Sequence, residues 1–375
     1  MKTPREDGFF MPAEWAPHDG CWMIWPERTD NWRLGAKPAQ AAFTAVASAI
    51  AQYEPVTMMV SARQWHAARA ALPERVRVVE VSSNDAWARD VGASFVVNGA
   101  GDLRGVDWPF NAWGGLQNGL YFPWDFDDAV AAKMLQIERA PRYRAPKIIE
   151  GGAIHVDGEG TVLVTEVCLL AEDRNPGITK PEMERVLKDY LGASHIVWLG
   201  AGVPHDETGG HVDNLACFVR PGEVLLSWCD DPADPHYQVS RDAEARLLAA
   251  HDAQGRKLTV RHIPMPKAMF FQTEEAAGID QTAYGMNRRA GERLAASYVN
   301  FYIANGAIIA PEFDVETDVE AKRVLAALFP GREIIMIPGR EILLGGGNIH
   351  CITQQQPAAA SEIIFRKSSK RSTDL

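Results

Sequence analysis

Cys351 is the strongest candidate for a nucleophile in this sequence. It follows a run of glycines, Gly345–Gly347, whose missing side chains allow a tight turn and the close approach of a ligand. A cysteine reacts as its thiolate, which needs a neighbouring imidazolium or a cationic substrate to stabilise the charge. Because a cysteine in apolar surroundings is more often a small core residue, Cys351 needs such partners before it can be given a catalytic role.

His211 and Asp213 are candidates for acid–base chemistry. In a strand, residues i and i+2 point to the same side, so both side chains would enter one pocket. A histidine beside a cysteine supplies proton transfer near neutral pH. The alternative is a surface histidine with a solvated aspartate. His155 and Asp157 repeat the spelling His-Val-Asp at a predicted hairpin turn, so the motif alone is weak evidence.

Asp90 and Glu150 each occupy a polar stretch that leads into an apolar run. Carboxylates that converge on one pocket repel each other unless a cation lies between them. A guanidinium fits, because it is planar, always charged and matches carboxylates bidentately while a thiolate attacks its central carbon. A Zn²⁺ site is the rival interpretation, although no H-x-H or H-E-x-x-H spacing supports it. Phosphate-binding and dinucleotide-binding glycine motifs are absent too, so nucleotide cofactors lack support.

The elements around these residues have the pattern of a mixed α/β fold. Apolar residues spaced three and four apart indicate helices, which alternate with short runs typical of strands. The predicted helices span residues 38–53, 64–72, 127–136, 180–191, 240–254 and 319–329. The predicted strands span residues 56–60, 76–81, 196–199, 258–263 and 334–337.

An internal repeat explains how distant residues could meet. A Gly-Gly-x-Ile/Val motif begins at residues 151, 209 and 346, and similar glycine-strand segments begin at 89 and 297. Five units of roughly 60 to 70 residues would fill the chain, which indicates a repeat architecture. The alternative is that Gly-Gly before a strand is a common turn. In a closed ring, equivalent strand ends converge on one axis and would bring the candidate residues into one pocket.

Composition restricts the class of protein. The chain has 375 residues, 38 Lys and Arg against 49 Asp and Glu, a net charge of −11, and 46% apolar residues. These values exclude wholesale disorder, argue against a nucleic-acid partner and are compatible with a small cationic ligand. No apolar run is typical of a signal peptide or membrane span, so we expect a soluble cytoplasmic protein without a membrane partner.

We expect one catalytic domain over residues 1–375, with a frayed tail from 358 to 375. A homo-oligomer, dimer or higher, stays open. The five cysteines contain no C-x-x-C pair, so neither a zinc ribbon nor a thioredoxin motif is indicated. Four of the cysteines are predicted to be structural. Cys168 and Cys217 would be core residues of strands, Cys229 would lie at a strand end, and Cys21 would lie in the N-terminal loop.

Eight motifs, in order from about residue 10 to 357, resemble the agmatine deiminase family. They cover residues 11–18, 22–26, 85–90, 110–115, 150–152, 210–214, 295–302 and 347–357. The family belongs to the guanidino-group-modifying (pentein) superfamily and is related to bacterial-type peptidyl-arginine deiminases. The resemblance implies a five-bladed α/β propeller of pseudo-repeated ββαβ-type units, in agreement with the five segments above.

The resemblance also implies a reaction, the hydrolysis of agmatine to N-carbamoylputrescine and ammonia without a metal or cofactor. Cys351 would form an amidino-cysteine intermediate, and His211 would protonate the departing ammonia and then activate water. Glu150 would orient that imidazole. Asp90 and Asp213 would hold the guanidinium.

The remaining implied residues concern the rest of the substrate. Glu207 would bind the primary amine. Trp87 and Trp113 would cover the tetramethylene chain or make cation–π contacts, with core packing as the alternative.

Two other functions stay open at this point. One is a deiminase of free or peptidyl arginine, which must also satisfy an α-carboxylate, normally with Arg or Lys. The other is a propeller that binds guanidinium or polyamine ligands without catalysis.

Overall fold

The computed structural model describes residues 2–313 and 315–359, which form a mixed α/β fold with one plan repeated in five sheets. The strands of this part of the chain are β1 (His18–Ile24), β2 (Val56–Val60), β3 (Arg77–Glu80), β4 (Ser94–Val97), β5 (Leu103–Asp107), β6 (Arg142–Arg144), β7 (His155–Val156), β8 (Thr161–Thr165), β9 (His195–Leu199), β10 (Ala216–Arg220), β11 (Glu223–Trp228), β12 (Thr259–Pro264), β13 (Met269–Phe270), β14 (Arg293–Leu294), β15 (Tyr302–Ile303), β16 (Ala307–Glu312), β17 (Glu333–Pro338) and β18 (Gln354–Pro357).

The helices differ in length, and several single-turn helices precede the first strand of a sheet. The helices of the described residues are α1 (Lys37–Ile50), α2 (Trp65–Ala71), α3 (Ala88–Val91), α4 (Gly115–Asn118), α5 (Val130–Ile137), α6 (Glu166–Leu169), α7 (Lys180–Leu191), α8 (Val212–Leu215), α9 (His236–Ala249), α10 (Thr273–Ala277), α11 (Val315–Leu328) and α12 (Arg340–Leu343).

Each of the five sheets pairs two strands antiparallel and adds the next strand in parallel. Four of them have the orders β4-β5-β6, β7-β8-β9, β10-β11-β12 and β15-β16-β17. The parallel strand follows a crossover helix, namely α5, α7, α9 or α11, as parallel pairing requires. The fifth sheet has the order β18-β1-β2-β3, so a strand near the C-terminus pairs with one near the N-terminus. Strands β13 and β14 form a separate pair.

Helix α7 illustrates how local sequence sets these elements. Thr179 caps its first turn in a capping box with Glu182, and Gly192 ends it in a left-handed conformation with φ +68°. Met183 and Leu187, one turn apart, are fully buried against the sheet. Burial of each such side chain stabilises the fold by about 1.5–3 kcal/mol.

The apolar core beside β1 and β2 extends to the pocket described below. Phe43 and Ile50 of α1 pack in one cluster with Met58 of β2. The same cluster contains Trp87 and Cys351. The turns that carry these two residues are therefore anchored by packing.

The predicted helices and strands are present, with shifted ends. The largest shift is in α9, which begins at His236 and ends at Ala249 instead of covering 240–254. The prediction that His211 and Asp213 lie on a strand is wrong, because His211 caps α8 and Asp213 lies in its first turn. A four-residue helix is too short to produce a helical period in the sequence.

For two cysteines, the predicted secondary-structure element is also wrong. Cys21 lies in β1 instead of a loop. Cys168 lies in α6, directly after β8, instead of in a strand. Cys217 lies in β10 and Cys229 follows β11, as predicted, and all these thiols are buried and unbridged.

The expectation of a frayed tail falls mostly on residues 360–375, which lie outside the described residues. Within residues 2–313 and 315–359, no helix is both long enough and apolar enough to traverse a bilayer.

Candidate active site

Short turns ahead of the sheets carry the predicted catalytic residues to one place. Asp90 lies in α3, Glu150 precedes the turn that leads into β7, and Cys351 lies in the turn before β18. His211 and Asp213 come from the start of α8. None of the five side chains is more than 4% exposed. The structure therefore brings together all five residues that the sequence singled out.

The Cys351 thiol is buried and lies among polar groups. It donates a hydrogen bond to Asp213 Oδ2 at 3.5 Å, and the Asn300 amide donates one to Sγ at 3.2 Å. Burial, together with the charges of Asp213 and Asp90, raises the pKa of Cys351 well above its ordinary value. The resting group is therefore a thiol, and it needs a cation beside it before it can ionise.

His211 lies between two carboxylates. Its Nε2 is 3.4 Å from Glu150 Oε2, and its Nδ1 is 3.8 Å from Asp90 Oδ1. Burial opposes the charge, but the charge of Asp90 and the contacts with Cys168 and Glu150 outweigh it and hold the pKa of His211 well above the usual value. The resting imidazole is therefore protonated and can act as an acid.

The two carboxylates beside His211 are in different electrostatic states. Burial raises the pKa of Asp90 to about 6, with contributions from the nearby negative charges of Asp213 and Glu150. For Glu150, burial is outweighed by Arg174, whose Nε donates to Oε1 at 2.9 Å, and by His211, so its pKa falls to about 2. Glu150 is thus a fixed anion, whereas Asp90 gains its full charge only above about pH 6.

Asp213 is the first member of a buried series of hydrogen-bonded ionisable groups that continues through His350 to Glu14. His350 Nδ1 lies 2.9 Å from Asp213 Oδ2, and its Nε2 lies 3.0 Å from Glu14 Oε1. Although burial opposes ionisation, the hydrogen bond and charge of His350 lower the pKa of Asp213. The Asp213 carboxylate therefore stays ionised and fixed in position.

A pocket leads to the thiol. Cys351 and Asp90 lie in its lining together with Trp87 and Trp113. The Trp113 indole donates to Asp90 Oδ2 at 3.0 Å, and the Trp87 indole donates to Asp85 Oδ2 at 3.0 Å. Both rings are thus oriented by carboxylates, and they form apolar walls beside the reacting group.

Glu207 lines the same pocket and is already paired. Arg288 Nη2 donates to Glu207 Oε2 at 2.5 Å. Burial raises the pKa of Glu207, and Arg288 opposes the shift. Glu207, the expected partner of a substrate amine, is therefore in the pocket, but its negative charge is already balanced by Arg288.

A sequence model of the Porphyromonas-type peptidyl-arginine deiminase family matches residues 10–357. The chain belongs to this family. An agmatine deiminase of Pseudomonas aeruginosa (strain LESB58) is 58% identical over 358 residues, 95% of this chain and 97% of the relative. A solved structure described as the agmatine deiminase of Enterococcus faecalis has 48% identity and a TM-score of 0.93, and the match covers 96% of this chain and 99% of the other.

A second solved structure similar to this chain is described as the putative arginine deiminase from Porphyromonas gingivalis. It has 30% identity and a TM-score of 0.80 over 94% of this chain and 99% of its own. Solved structures similar to this chain are thus described with different substrates in their names.

Several residues of the site in this family member received no role from the sequence. His350, Asn300 and Glu14 lie within the recognised motifs, but no spacing or residue pattern there indicates what they contact. Arg174, which fixes Glu150, had no signal, since a single arginine in a polar loop is common. The position of His350 next to Cys351 was the best available clue.

Cys168 lies closer to the site than a core residue of a strand would. Its Sγ is 4.0 Å from Glu150 Oε2, and the donor atoms of Glu150, Cys168 and His211 all lie within 4.8 Å of one another. These are atoms that Zn²⁺ binds. The Arg174 guanidinium beside Glu150 opposes a second cation there.

Proposed function

We propose that this protein hydrolyses the guanidinium group of agmatine and releases N-carbamoylputrescine and ammonia. The observation that carries the proposal is the buried Cys351 thiol beside Asp213, in a pocket that Asp90 also lines. The relatives described as agmatine deiminases support the same substrate. The chain would act as one catalytic domain over residues 1–375, with agmatine as its cationic partner.

The carboxylates beside the thiol suit a guanidinium. Asp213 Oδ1 is buried and, among the described residues, accepts no hydrogen bond. A buried acceptor left unsatisfied costs about 1–3 kcal/mol, so this atom favours a ligand that brings N–H donors. A guanidinium has five such donors, enough to reach both Asp213 and Asp90 at once.

Substrate entry would itself activate the nucleophile. Burial and the negative charges of Asp90 and Asp213 keep Cys351 protonated in the resting enzyme. A guanidinium between these carboxylates neutralises them and places a positive charge beside Sγ, which lowers the pKa of the thiol. The thiol then releases its proton to solvent through the pocket, and the resulting thiolate attacks the guanidinium carbon and forms the C–S bond of a tetrahedral adduct.

His211 would move the protons of the following steps. The imidazolium gives its proton to the departing nitrogen, so that ammonia leaves and an amidino-cysteine remains on Cys351. The neutral imidazole then takes a proton from water, whose oxygen attacks the same carbon. Collapse of this second adduct breaks the C–S bond, frees N-carbamoylputrescine and passes the remaining proton of the water to the sulfur, which restores the Cys351 thiol. Glu150 keeps the ring oriented, because Arg174 fixes it as an anion.

The rest of agmatine would lie along the pocket. Trp87 and Trp113 form apolar walls for the tetramethylene chain. Glu207 would accept the primary ammonium at the far end. The five similar sheets support the further proposal that the chain forms a five-bladed α/β propeller of pseudo-repeated units.

We predict that Gly347→Ala blocks the reaction. A methyl group there would lie 2.6 Å from the Trp87 ring and 3.0 Å from Cys351 Sγ, inside the space that the guanidinium needs. Because a misplacement of about 1 Å costs about 100-fold in rate, kcat/KM for agmatine should fall at least this far. Gly99→Ala, whose methyl group meets no atom within 4 Å, is the control. A Gly347→Ala enzyme that is folded and fully active would contradict this placement of the substrate.

A substrate panel tests the proposed function. We expect kcat/KM for agmatine to exceed that for arginine and for an arginyl peptide by about 100-fold or more, because a desolvated α-carboxylate would lack a free partner. Steady-state ammonia release with each substrate gives the ratio. If arginine were turned over equally well, the agmatine assignment would be wrong.

Arginine is the second candidate because two arginines line the pocket. Arg288 is bound to Glu207, and Arg28 is bound to Asp30 at 2.5 Å. Since both guanidinium groups are already paired with acids of the protein, we favour agmatine.

A further inference from the structure

Arg288 is a buried guanidinium at the far end of the pocket. The residue is 4% exposed, and its Nη2 donates to Glu207 Oε2 at 2.5 Å and to the Gly345 carbonyl at 2.6 Å. Its Nη1 donates to the carbonyl of Leu344. Its Nε is also buried and, among the residues described here, has no hydrogen-bond partner. The group is thus fixed in position with one donor unused.

The glycines before Cys351 place this guanidinium within one ligand length of the thiol. A methyl group on Gly346 would collide with Glu207 Oε2 and lie 2.9 Å from Arg288 Nη2. A methyl group on Gly347 would lie 3.0 Å from Cys351 Sγ. Because the Cα atoms of adjacent residues are about 3.8 Å apart, two adjacent glycines connect the surroundings of Arg288 with those of Cys351.

We propose that Arg288 determines which tail charge the pocket accepts, and that Glu207 keeps it from binding a carboxylate. This inference rests on the proposed function, since it concerns the non-reacting end of the same substrate. With Glu207 ionised, its charge cancels that of Arg288, and a tail ammonium can be accepted. With Glu207 uncharged, Arg288 presents a free positive charge, which attracts a carboxylate and repels an ammonium.

The neighbouring charges do not replace Glu207 in this role. Arg28, the other arginine in the pocket lining, is held by Asp30 through two contacts of 2.5 and 3.0 Å. Asp85 also lines the pocket, but it accepts hydrogen bonds from the side chains of Asn31, Trp32 and Trp87. The pairing of Arg288 with Glu207 is therefore the contact through which one substitution changes the net charge at this end.

A purely structural role is the alternative, because Arg288 also holds the carbonyls of Leu344 and Gly345. In that case Glu207→Gln would alter activity toward all substrates in parallel. A specificity role instead changes the ratio between substrates with opposite tail charges.

The test uses Glu207→Gln and two probes that share one chain length. Agmatine carries an ammonium, and 5-guanidinopentanoate keeps the tetramethylene chain but carries a carboxylate. We expect the ratio of kcat/KM for 5-guanidinopentanoate over agmatine to rise by about 100-fold relative to the unmodified enzyme, chiefly through KM. Glu292→Gln makes the same charge change at an exposed residue near Glu207 and should leave the ratio unchanged.

The double variant Glu207→Gln with Arg288→Gln assigns the effect to Arg288. It should lose the gain for 5-guanidinopentanoate, with melting temperatures recorded to confirm folding. A ratio in Glu207→Gln that stays within about threefold of the unmodified enzyme, or a gain that survives in a folded double variant, would overturn the inference. If the unmodified enzyme failed to turn over agmatine, the proposed function itself would fall, which is a separate result.

Discussion

Cys351→Ala is expected to abolish ammonia release from agmatine. The thiolate would be the atom that attacks the guanidinium carbon, and no other described thiol lies in the lining of the pocket. Removal of a nucleophile commonly costs about 10⁶-fold, so the residual rate should lie at the detection limit. Cys229→Ala is the matched control, because this thiol is also buried but follows β11, away from the pocket.

Mass spectrometry of the intact protein separates a nucleophile from a merely structural cysteine. Quenching during turnover should show the mass of agmatine less ammonia added to the unmodified enzyme, and no such addition to Cys351→Ala. Agmatine should still bind to the variant, because Asp90 and Asp213 remain. Full ammonia release by Cys351→Ala would exclude the covalent mechanism, whereas loss of agmatine binding would indicate that the thiol positions the substrate instead.

The repeat pattern predicted the site better than local secondary structure did. The glycine motifs near residues 151, 209 and 346 indicated that their segments converge, and in the structure His211 lies 3.4 Å from Glu150 while Cys351 lies 3.5 Å from Asp213. The conformation at His211 was predicted wrongly, because a helix of four residues is too short to produce a helical periodicity of apolar residues in the sequence. The repeat predicted the convergence of these segments because it depends on the order of whole repeated units along the chain. The conformation of the short turns within each unit does not change that order.

Contacts between distant parts of the chain could not be predicted in this way. Glu207 and Arg288 are 81 residues apart, and His350 and Glu14 are 336 apart. A single sequence contains no signal for such pairs, because neither lies at a fixed spacing within one repeat. The sequence predicted Glu207 as the partner of the substrate amine but not its ion pair with Arg288, which the structure shows.

His211→Gln is expected to lower kcat for agmatine by about 10²–10⁴-fold, the usual contribution of proton transfer by a side chain. Glutamine keeps polar atoms near Glu150 but can neither protonate ammonia nor take a proton from water. At a pH high enough to keep Asp90 ionised, agmatine should bind at least as tightly as before, because loss of the imidazolium leaves the charge of Asp90 less compensated. His262→Gln, at a partly exposed ring outside the pocket, is the control.

The pH profile of the same variant distinguishes proton transfer from packing. In the unmodified enzyme, kcat/KM should fall as the pH drops below about 6, because Asp90, whose pKa is about 6, loses the charge that holds the guanidinium. The charge of His211 lowers the pKa of Asp90, so its removal should raise that pKa and move the acidic limb to higher pH. A variant with lower kcat but an unmoved acidic limb would show that His211 is not charged in the resting enzyme. It would then have to act first as a base toward the Cys351 thiol, which reverses the order of its two proton transfers.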